Sequence, residues 1–369
     1  MRRVLAVDQS TSGTKATLID EAGAIVARKS LPHRQFYPAP GCVEHDAQEI
    51  WQNTLRLMNE VGMDGVCAIA LTNQRETTVF WERGTGKPLG PAVVWQDVRA
   101  QSLCQTLAPN AHYVQKTTGL ALSPYYSAAK AMHVLQNGNL PKNLCIGTVD
   151  SYLLYRLTGG KVFATDVSNA GRTQLMNLKT LDWDAGLLDV FGIRRGMLAE
   201  AILPSDSVFG YTNCEGTPSG IPICAMLGDS HASLFGHGCH QPGSVKASYG
   251  TGSSIMMNVG DAPVFSKNGL SACVGFGFQG KINYVLEGNV TCSADTLVWL
   301  KDGLGLIDDI EGVEALAASV PDAGGVCLVP AFSGLGAPYF DSNARAVLCG
   351  MSRGTTRAHV VRAALDAIA

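Results

Sequence analysis

Four polar residues, Asn73, Gln74, Arg75 and Glu76, stand between two apolar runs in the segment AIALTNQRETTVFW, which begins at Ala68. A cation and a carboxylate between buried strands are costly unless they satisfy each other or a ligand. Arg75 offers a planar fork of donors and Glu76 offers two acceptor oxygens, so the pair suits the neighbouring hydroxyls of a small polyol or sugar. A structural ion pair is the alternative, and the segment alone favours it.

A turn of glycine and hydroxyl residues follows the apolar run from Val4 to Val7 and leads into a second run, from Ala16 to Asp20. Such a turn directs backbone N–H groups at one point, which suits a phosphate. The side chains that join them belong to Ser10, Thr11, Ser12, Thr14 and Lys15. Asp8, at the end of the first run, is placed to hold a divalent cation through water. A plain hairpin turn is the alternative interpretation.

The same arrangement occurs a second time, far along the chain. The run from Gly243 to Tyr249 leads into the turn Gly250-Thr251-Gly252-Ser253-Ser254, and a further apolar run extends from Ile255 to Val259. Two units of strand, turn and strand indicate two domains that face one nucleotide phosphate chain, which is the arrangement of actin-like ATPases.

A carboxylate stands at the end of a third apolar run, in IPICAMLGDSHASLF from Ile221 to Phe235. The pattern predicts a strand that ends at Gly228 and Asp229 and opens into a helix. A carboxylate at this position is well placed to accept a proton from a substrate hydroxyl. A helix-capping role is the alternative. Asp229 is a catalytic candidate because the other motifs accompany it, and not by itself.

Two further patterns resemble ligand sites but lack the required spacing. The segment GTGK from Gly84 is followed by Pro88 where a P-loop requires Ser or Thr, so we predict a tight turn there. A group of metal-binding residue types matches no usual zinc arrangement, and we predict no structural metal there. It consists of His231, His237, Cys239 and His240.

The elements that must position these residues follow from alternating apolar strands and helical stretches. We predict three strands, a helix over Ala47 to Val61 and a further strand pair before Leu89. Helices should dominate from Arg99 to Leu157. The segment from Pro204 to Pro222 is rich in Gly, Ser, Thr and Pro and is predicted to be a loop. We place the domain boundary between Gly236 and Gly243.

With these residues in hand, the chain resembles the FGGY carbohydrate kinases and, within that family, the glycerol kinases most closely. The order and spacing of the matching segments are highly specific. They are DQSTSGTK from Asp8, GCVEHDAQEIW from Gly41, TNQRETT from Thr72, VVWQDVR from Val93, SPYYSAAK from Ser123, GTVDSYLLYRLTGG from Gly147, TDVSNAGRT from Thr165, LDWD from Leu181, YGTGSS from Tyr249 and VPAFSGLGAPYFDSNARA from Val329.

The resemblance implies an α/β fold of two actin-like (ribonuclease H-like) ATPase domains with a cleft between them. It also implies ATP and Mg²⁺ as cofactors and transfer of the γ-phosphoryl group to a hydroxyl of a small polyol or sugar. We predict an N-terminal domain over 1–240, with the acceptor site and the first phosphate turn. A C-terminal domain over 241–369 carries the second phosphate turn and is expected to be incomplete at its C-terminal end.

Carried over by position, the family's functional residues fall into three groups in this sequence. Asp229 corresponds to the general base, and Asp8 together with Asp229 to the carboxylates near magnesium. The acceptor-binding candidates are Arg75, Glu76, Trp95, Tyr125, Ser230 and Ser254. The nucleotide-binding candidates are Ser10, Thr11, Ser12, Lys15, Gly250, Thr251, Gly252 and Ala294.

Three residues depart from the glycerol kinase pattern. Ser230 and His231 stand where two glutamines usually follow the catalytic aspartate, and Ser254 replaces a phenylalanine. Smaller side chains enlarge the pocket and add hydroxyls, so we expect a four- or five-carbon polyol or ketose to be accepted at least as readily as glycerol. The alternative is that a neighbouring side chain refills the gap. His231 is a further candidate for substrate contact.

The nucleotide site departs from the family in two places. The chain stops at Ala369, inside a helix that opens near Ala358, before the Gly-Gly turn that cradles adenine in the family. We therefore expect a fragment or a shortened protein with a weakened adenine site. Ala294 stands where the family has a glycine, and its methyl group is expected to crowd the nucleotide.

Composition is that of an ordinary enzyme with material for two cores, since 46% of the residues are hydrophobic. A net charge of −3 without a basic run argues against nucleic acid and membrane partners. The apolar stretch after Arg3 is too short for a signal peptide. The 11 scattered cysteines favour reduced thiols in the cytoplasm.

Three functions remain open at this point. The first is an ATP-dependent polyol or sugar kinase of the glycerol kinase type, and the second is a pentulose or ketose kinase of the same family. The third is a sugar-binding regulatory protein with weak or lost turnover, although such a protein has no need of Asp8, Thr251 and Asp229 together. Self-association into a homo-oligomer also remains open.

Overall fold

The computed structural model describes residues 2–250, 252–332, 334–339, 341 and 343–369. The chain divides into two units. The first comprises Met1–Pro242, Asn258–Val264 and Ala272–Val285, and the second comprises Gly243–Met257, Phe265–Ser271 and Leu286–Ala369. No helix in the described part of the chain combines the length and the apolar character that crossing a membrane requires.

The strands of the first 242 residues are mostly short, and the longest of them form one sheet. They are β1 (Arg3–Gln9), β2 (Gly13–Asp20), β3 (Ile25–Pro32), β4 (Gln35–Phe36), β5 (Glu44–His45), β6 (Val66–Asn73), β7 (Thr78–Glu82), β8 (Ala92–Val93), β9 (Leu144–Thr148), β10 (Ala164–Asp166), β11 (Met176–Asn177), β12 (Asp182–Trp183), β13 (Ala201–Leu203), β14 (Gly210–Tyr211) and β15 (Pro222–Gly228). The main sheet has the order β14-β15-β6-β1-β2-β3, and a second sheet has the order β4-β5-β8-β7-β9.

Three neighbouring strands of the main sheet run parallel, and their carboxyl ends meet at one edge. β6 pairs in parallel with β1 on one side and with β15 on the other, so Gln9, Asn73 and Gly228 lie in one row. Buried apolar residues alternate along these strands, as at Leu5 and Val7 in β1. The segments that directly follow β1, β6 and β15 in the sequence therefore all begin at this edge of the sheet.

Helices cover the sheets and connect them. They are α1 (Ala47–Val61), α2 (Gln101–Thr106), α3 (Ala111–Thr118), α4 (Ser127–Asn137), α5 (Val149–Leu157), α6 (Val167–Ala170), α7 (Ala185–Phe191) and α8 (Asp229–Gly236). Short 3₁₀ turns lie at Ala108–Asn110 and Arg195–Met197. α1 begins after Asp46, whose side chain accepts a hydrogen bond from Gln48 N at 2.8 Å, and it buries Ile50 and Leu57 in the core.

The later part of the chain adds the strands β16 (Val245–Tyr249), β17 (Ser253–Gly260), β18 (Ser271–Phe278), β19 (Lys281–Val290), β20 (Cys327–Val329) and β21 (Val347–Cys349). Its helices are α9 (Asp295–Val298), a π-helical turn at Trp299–Gly303, α10 (Val313–Ala318) and α11 (Arg357–Ile368). Within the second unit, α11 buries Val361 in an apolar cluster with Leu300 and Leu328. The last helix therefore packs on a core of its own unit.

Several element predictions are confirmed. The helix over Ala47–Val61 is confirmed, as is the strand that opens into a helix at Asp229. The P-loop-like segment is a tight turn, closed by a hydrogen bond from Gly86 N to Glu82 O at 2.9 Å. Helices dominate from Arg99 to Leu157, as predicted, and the segment from Pro204 to Pro222 is mostly loop. The short strands β9 and β14 within these ranges were not predicted, because segments of five and two residues carry too little periodicity to identify.

Candidate active site

Three segments leave the carboxyl edge of the parallel strands, and each carries predicted functional residues. β1 leads into the first phosphate turn, β6 leads into Gln74, Arg75 and Glu76, and β15 leads into Asp229. Ligands of α/β proteins bind outside the carboxyl ends of parallel strands. The topology thus brings these three segments to one edge of the sheet.

The first phosphate turn is a tight hairpin between β1 and β2. Ser10 donates two hydrogen bonds to the carbonyl of Gly13, from its backbone nitrogen and from its Oγ, each at 2.9 Å. A Cβ atom at Gly13 would lie 2.5 Å from the carbonyl oxygen of Leu31 on β3, so only glycine fits there. Thr11 is half-buried and Ser12 is exposed, whereas Thr14 is buried.

Asp8 and Lys15 face each other across this hairpin. They are paired residues in the register of β1 and β2, and Lys15 Nζ lies 3.5 Å from Asp8 Oδ2. Burial raises the pKa of Asp8 above its ordinary value, and the ammonium group of Lys15 opposes that shift. A partly exposed carboxylate beside a lysine can contribute to binding a cation and a phosphate at the same place.

Arg75 and Asp229 meet at the ends of two neighbouring strands. Arg75 Nε lies 3.5 Å from Asp229 Oδ1, and the side chains are 5% and 39% exposed. A Cβ atom at Gly228 would lie 2.6 Å from Arg75 Cγ, so glycine allows the arginine to pass over this strand end. Asp229 also begins α8, where the helix N-terminus stabilises a negative charge. The buried guanidinium of Arg75 thus holds the carboxylate of Asp229 in place, while part of that carboxylate stays accessible to solvent.

Glu76 has a different partner from Arg75. Its Oε1 accepts a hydrogen bond from Arg172 Nε at 2.5 Å, and both side chains are almost fully buried. Its backbone has φ of 59°, a conformation that a glutamate adopts at an energetic cost. The backbone carbonyl accepts hydrogen bonds from Ser127 Oγ at 2.9 Å and Thr78 Oγ1 at 3.1 Å, which hold this conformation.

Two aromatic rings connect the first turn to this ion pair. Trp95 Nε1 donates a hydrogen bond to Thr11 Oγ1 at 2.9 Å, and the Trp95 and Tyr125 rings meet edge to face at 5.7 Å. The guanidinium of Arg172 lies 6.0 Å from the centre of the Tyr125 ring. The structure therefore links the predicted residues Thr11, Trp95, Tyr125 and Glu76 in one continuous chain of contacts.

Sequence reasoning missed two buried cations of this region. Arg172 pairs with Glu76, and Lys130 Nζ donates hydrogen bonds to the carbonyls of Pro124, at 2.7 Å, and of Tyr125. Burial lowers the pKa of Lys130 to about 7. Both residues lie in the segments SPYYSAAK and TDVSNAGRT, where a cation among small and apolar residues was the available signal.

The second phosphate turn belongs to the second unit. Gly250 N donates a hydrogen bond to Gly252 O at 3.0 Å, and Ala294 N donates to Gly250 O at 2.9 Å. A Cβ atom at Gly252 would lie 2.6 Å from the carbonyl oxygen of Val290. The two turns thus share one design, in which a glycine lets a following strand approach. Thr251, a predicted phosphate contact, lies outside the described residues.

The residues that depart from the glycerol kinase pattern have different surroundings. Ser254 Oγ donates a hydrogen bond to Glu287 Oε1 at 2.9 Å, within the second unit. Ser230 is partly exposed beside Asp229, whereas His231 is fully buried. Among the described residues, no group of three or more His, Cys, Asp or Glu side chains is placed to hold a metal ion.

Comparison with family models identifies the class of protein to which this fold and this candidate site belong. The model of the N-terminal domain of the FGGY family of carbohydrate kinases matches residues 3–236, and that of the C-terminal domain matches residues 245–369. The chain is therefore an α/β kinase of two FGGY domains, with an alcohol group as phosphoryl acceptor. It belongs to the FGGY family of carbohydrate kinases, as the motifs predicted.

Curated relatives are similar over the whole chain. Glycerol kinase 1 of Thermotoga maritima is 47% identical over 380 residues, which cover 99% of this chain and 77% of that protein. A glycerol kinase of Alkalilimnicola ehrlichii is 44% identical, with 100% and 77% covered.

Solved structures show the same fold. Plasmodium falciparum glycerol kinase, determined with ADP, aligns with a TM-score of 0.91 at 37% identity and covers 100% of this chain and 76% of that one. A xylulose kinase of Lactobacillus acidophilus aligns with a TM-score of 0.88 at 23% identity, again over 100% and 76%, which supports the fold alone. The predicted α/β, actin-like class is confirmed.

Proposed function

We propose that this kinase transfers the γ-phosphoryl group of ATP to a hydroxyl of a small polyol, with Asp229 as the general base. The observation that carries the proposal is the carboxylate of Asp229, which is partly exposed, begins α8 and lies 3.5 Å from the buried guanidinium of Arg75. Phosphoryl transfer requires positioning and fixed charge more than covalent chemistry from the protein. An aspartate that accepts the proton of the acceptor hydroxyl completes this set.

The acceptor is bound by the residues around this carboxylate. Arg75 and Glu76 offer donors and acceptors to neighbouring hydroxyls, and Trp95 and Tyr125 supply an apolar wall for the carbon skeleton. The ion pair with Arg172 holds the carboxylate of Glu76 in one orientation. The similarity to glycerol kinases at 44–47% identity favours glycerol as an acceptor.

The nucleotide phosphates are assigned to the two turns. Ser12, Lys15 and the backbone of the first turn face one part of the phosphate chain, and Gly250, Thr251 and Gly252 serve the other. The Plasmodium relative was determined with ADP, which supports a nucleotide of this kind.

Magnesium fits the oxygen donors of Asp8 and Asp229, because this ion prefers carboxylates and keeps several water ligands. Asp8 and Asp229 are the residues that would hold this ion, which would supply positive charge to offset that of the nucleotide phosphates. Burial raises the pKa of Asp8, and a nearby cation opposes that shift by favouring the ionised carboxylate.

The residues that differ from the glycerol kinase pattern bear on the length of the acceptor. Ser230 and Ser254 are small, and we expect four- and five-carbon polyols or ketoses to be used at least as readily as glycerol. ATP consumption coupled to ADP release, measured over a panel from glycerol to pentitols and ketopentoses, tests activity and acceptor together. Fast turnover of glycerol without any gain for longer acceptors would contradict the larger pocket.

The role of Asp229 is tested by Asp229→Asn, which preserves size and removes the base. We expect kcat to fall about 1,000-fold, with acceptor binding nearly unchanged, because the amide cannot accept the proton. Asp64→Asn, at an exposed position, is the matched control and should retain full activity. Retention of most of the activity by Asp229→Asn would contradict the proposed mechanism.

A further inference from the structure

A buried polar cluster lies behind the candidate active site, at the N-terminus of α6. Its members are Asp166, Ser168 and Asn169, all with fully buried side chains, and we call it the Asp166 cluster. We propose that these three residues are positioning residues, which hold the strand ends that carry Asp229 and Arg75. The inference rests on the function proposed above and adds residues to it that do not contact the substrate.

The carboxylate of Asp166 is the centre of the cluster. Oδ1 accepts hydrogen bonds from Asn169 N at 2.9 Å, Asn169 Nδ2 at 2.8 Å and Ser168 Oγ at 3.0 Å. Oδ2 accepts from Ser168 N and from Ser205 Oγ, each at 2.9 Å. Because five donors converge on one buried carboxylate, the residues that carry them are restricted to a single arrangement. The cluster is therefore a rigid support.

One arm of the cluster ends next to Asp229. The backbone nitrogen of Gly228 donates a hydrogen bond to Ser168 Oγ at 3.0 Å, while the same hydroxyl donates to Asp166. Gly228 is the last residue of β15 and directly precedes Asp229. Ser168 therefore fixes the peptide from which the candidate base projects.

The other arm ends next to Arg75. The side-chain amides of Asn169 and Asn73 form a reciprocal pair, with Asn73 Nδ2 donating at 2.9 Å and Asn169 Nδ2 donating at 3.0 Å. Asn73 Nδ2 also donates to the carbonyl of Gln74 at 2.9 Å, and Gln74 directly precedes Arg75. Asn73 and Gly228 are partners in the register of β6 and β15, so both arms reach the same row of the sheet.

A positioning role explains why this interior is polar. A buried network of this kind adds less stability than apolar packing of the same volume, so its specific geometry is what it contributes. Misplacement of a reacting group by about 1 Å can lower a rate about 100-fold. The two arms control the relative position of the base and the guanidinium beside it.

The experiment compares Ser168→Ala with Thr158→Val in the full chain, using the ATP-consumption assay. Thr158 is the matched control because its buried hydroxyl also accepts a backbone N–H, from Val162 at 3.2 Å, and donates to a carbonyl, that of Leu154 at 2.9 Å. We expect Ser168→Ala to lower kcat about tenfold with little change in acceptor KM. Asn169→Ala should have the opposite effect: acceptor KM rises about tenfold with little change in kcat, because the backbone next to Arg75 loses its support.

Amide hydrogen exchange of the peptide that contains Gly228 gives a readout that does not depend on turnover. Exchange should be faster in Ser168→Ala than in the wild type and unchanged in Thr158→Val. Unchanged kcat and exchange in Ser168→Ala, or the same kcat loss in Thr158→Val, would overturn the positioning role. If Ser168→Ala does not fold, the same measurements on Asp166→Asn decide. Full activity of Asp229→Asn would instead overturn the proposed function, so the two failures are distinguishable.

Discussion

At the scale of single residues, the adjacent Arg75 and Glu76 each pair with a residue far away in the sequence. Arg75 lies beside Asp229, and Glu76 is bound by Arg172. A buried carboxylate that loses its cation is left uncompensated, which is more costly than the net value of the pair. In the proposed acceptor site, Glu76 therefore depends on Arg172, which follows α6 and lies outside the strands of the main sheet.

Replacement of Arg172 is therefore expected to damage both stability and acceptor binding. We expect Arg172→Met to lower the free energy of unfolding by about 3 kcal/mol, because Glu76 remains buried without its partner. Acceptor KM should rise about tenfold as Glu76 loses its alignment. Urea unfolding and acceptor titrations measure the two effects.

The control for this variant is Arg83→Met, at an exposed pair in which Arg83 Nη1 lies 2.7 Å from Glu200 Oε1. Exposed pairs contribute about 0–1 kcal/mol, so this change should alter the unfolding free energy little. Equal losses in the two variants would contradict the importance of burial.

Lys130 gives a prediction about pH. Burial lowers its folded-state pKa to about 7, below the ordinary value of 10.5, so the folded protein binds fewer protons than the unfolded chain between these values. The contribution of this residue to the free energy of unfolding therefore rises with pH through that window and is least favourable below about pH 7.

The measurement for Lys130 is urea unfolding of the wild type and Lys130→Met from pH 7 to 10. The wild type should gain stability relative to the variant as the pH rises. Because Lys130 holds the carbonyls of Pro124 and Tyr125, the variant should also bind the acceptor less tightly. A stability difference that does not vary with pH would contradict the lowered pKa.

At the scale of elements, the hairpin of β1 and β2 depends on the close approach of β3. Gly13→Ala would place a methyl group 2.5 Å from the carbonyl oxygen of Leu31. We expect a loss of about 1–3 kcal/mol in the free energy of unfolding, because backbone must shift to relieve the overlap. The shift should also raise the KM for ATP, since the turn carries Ser12 and Lys15.

Gly90→Ala is the matched control, because a Cβ atom there would meet nothing within 4 Å. It should preserve both the KM for ATP and the unfolding free energy. An unchanged KM in Gly13→Ala, despite lost stability, would argue that the first turn does not contact the nucleotide.

At the scale of the whole molecule, the kinase function predicts coupling between its two ligands. We expect the acceptor to bind more tightly in the presence of a non-hydrolysable ATP analogue, by about 5-fold or more, and the analogue to be affected equally. A sugar-binding regulatory protein without turnover should show independent binding. Calorimetric titration of each ligand, with and without the other, distinguishes these functions.

Much of the local structure could be predicted from the sequence. The helix over Ala47–Val61 has an apolar stripe and a capping aspartate, and Asp229 stands where an apolar run changes into a helical pattern. Such signals arise from neighbouring residues and need no tertiary information. The order of the family motifs along the chain likewise predicted the class of enzyme without tertiary information.

The sequence by itself determined the longer elements, the two glycine turns and the family of this kinase, because propensities and motifs are local in the chain. Only the tertiary structure decided which partner each buried charge takes. Glu76 and Arg172 are 96 residues apart, as are Asn73 and Asn169, and nothing in either segment specifies the other. Strand order and register bring them together, because a buried polar group must find its partner wherever the sheet places one.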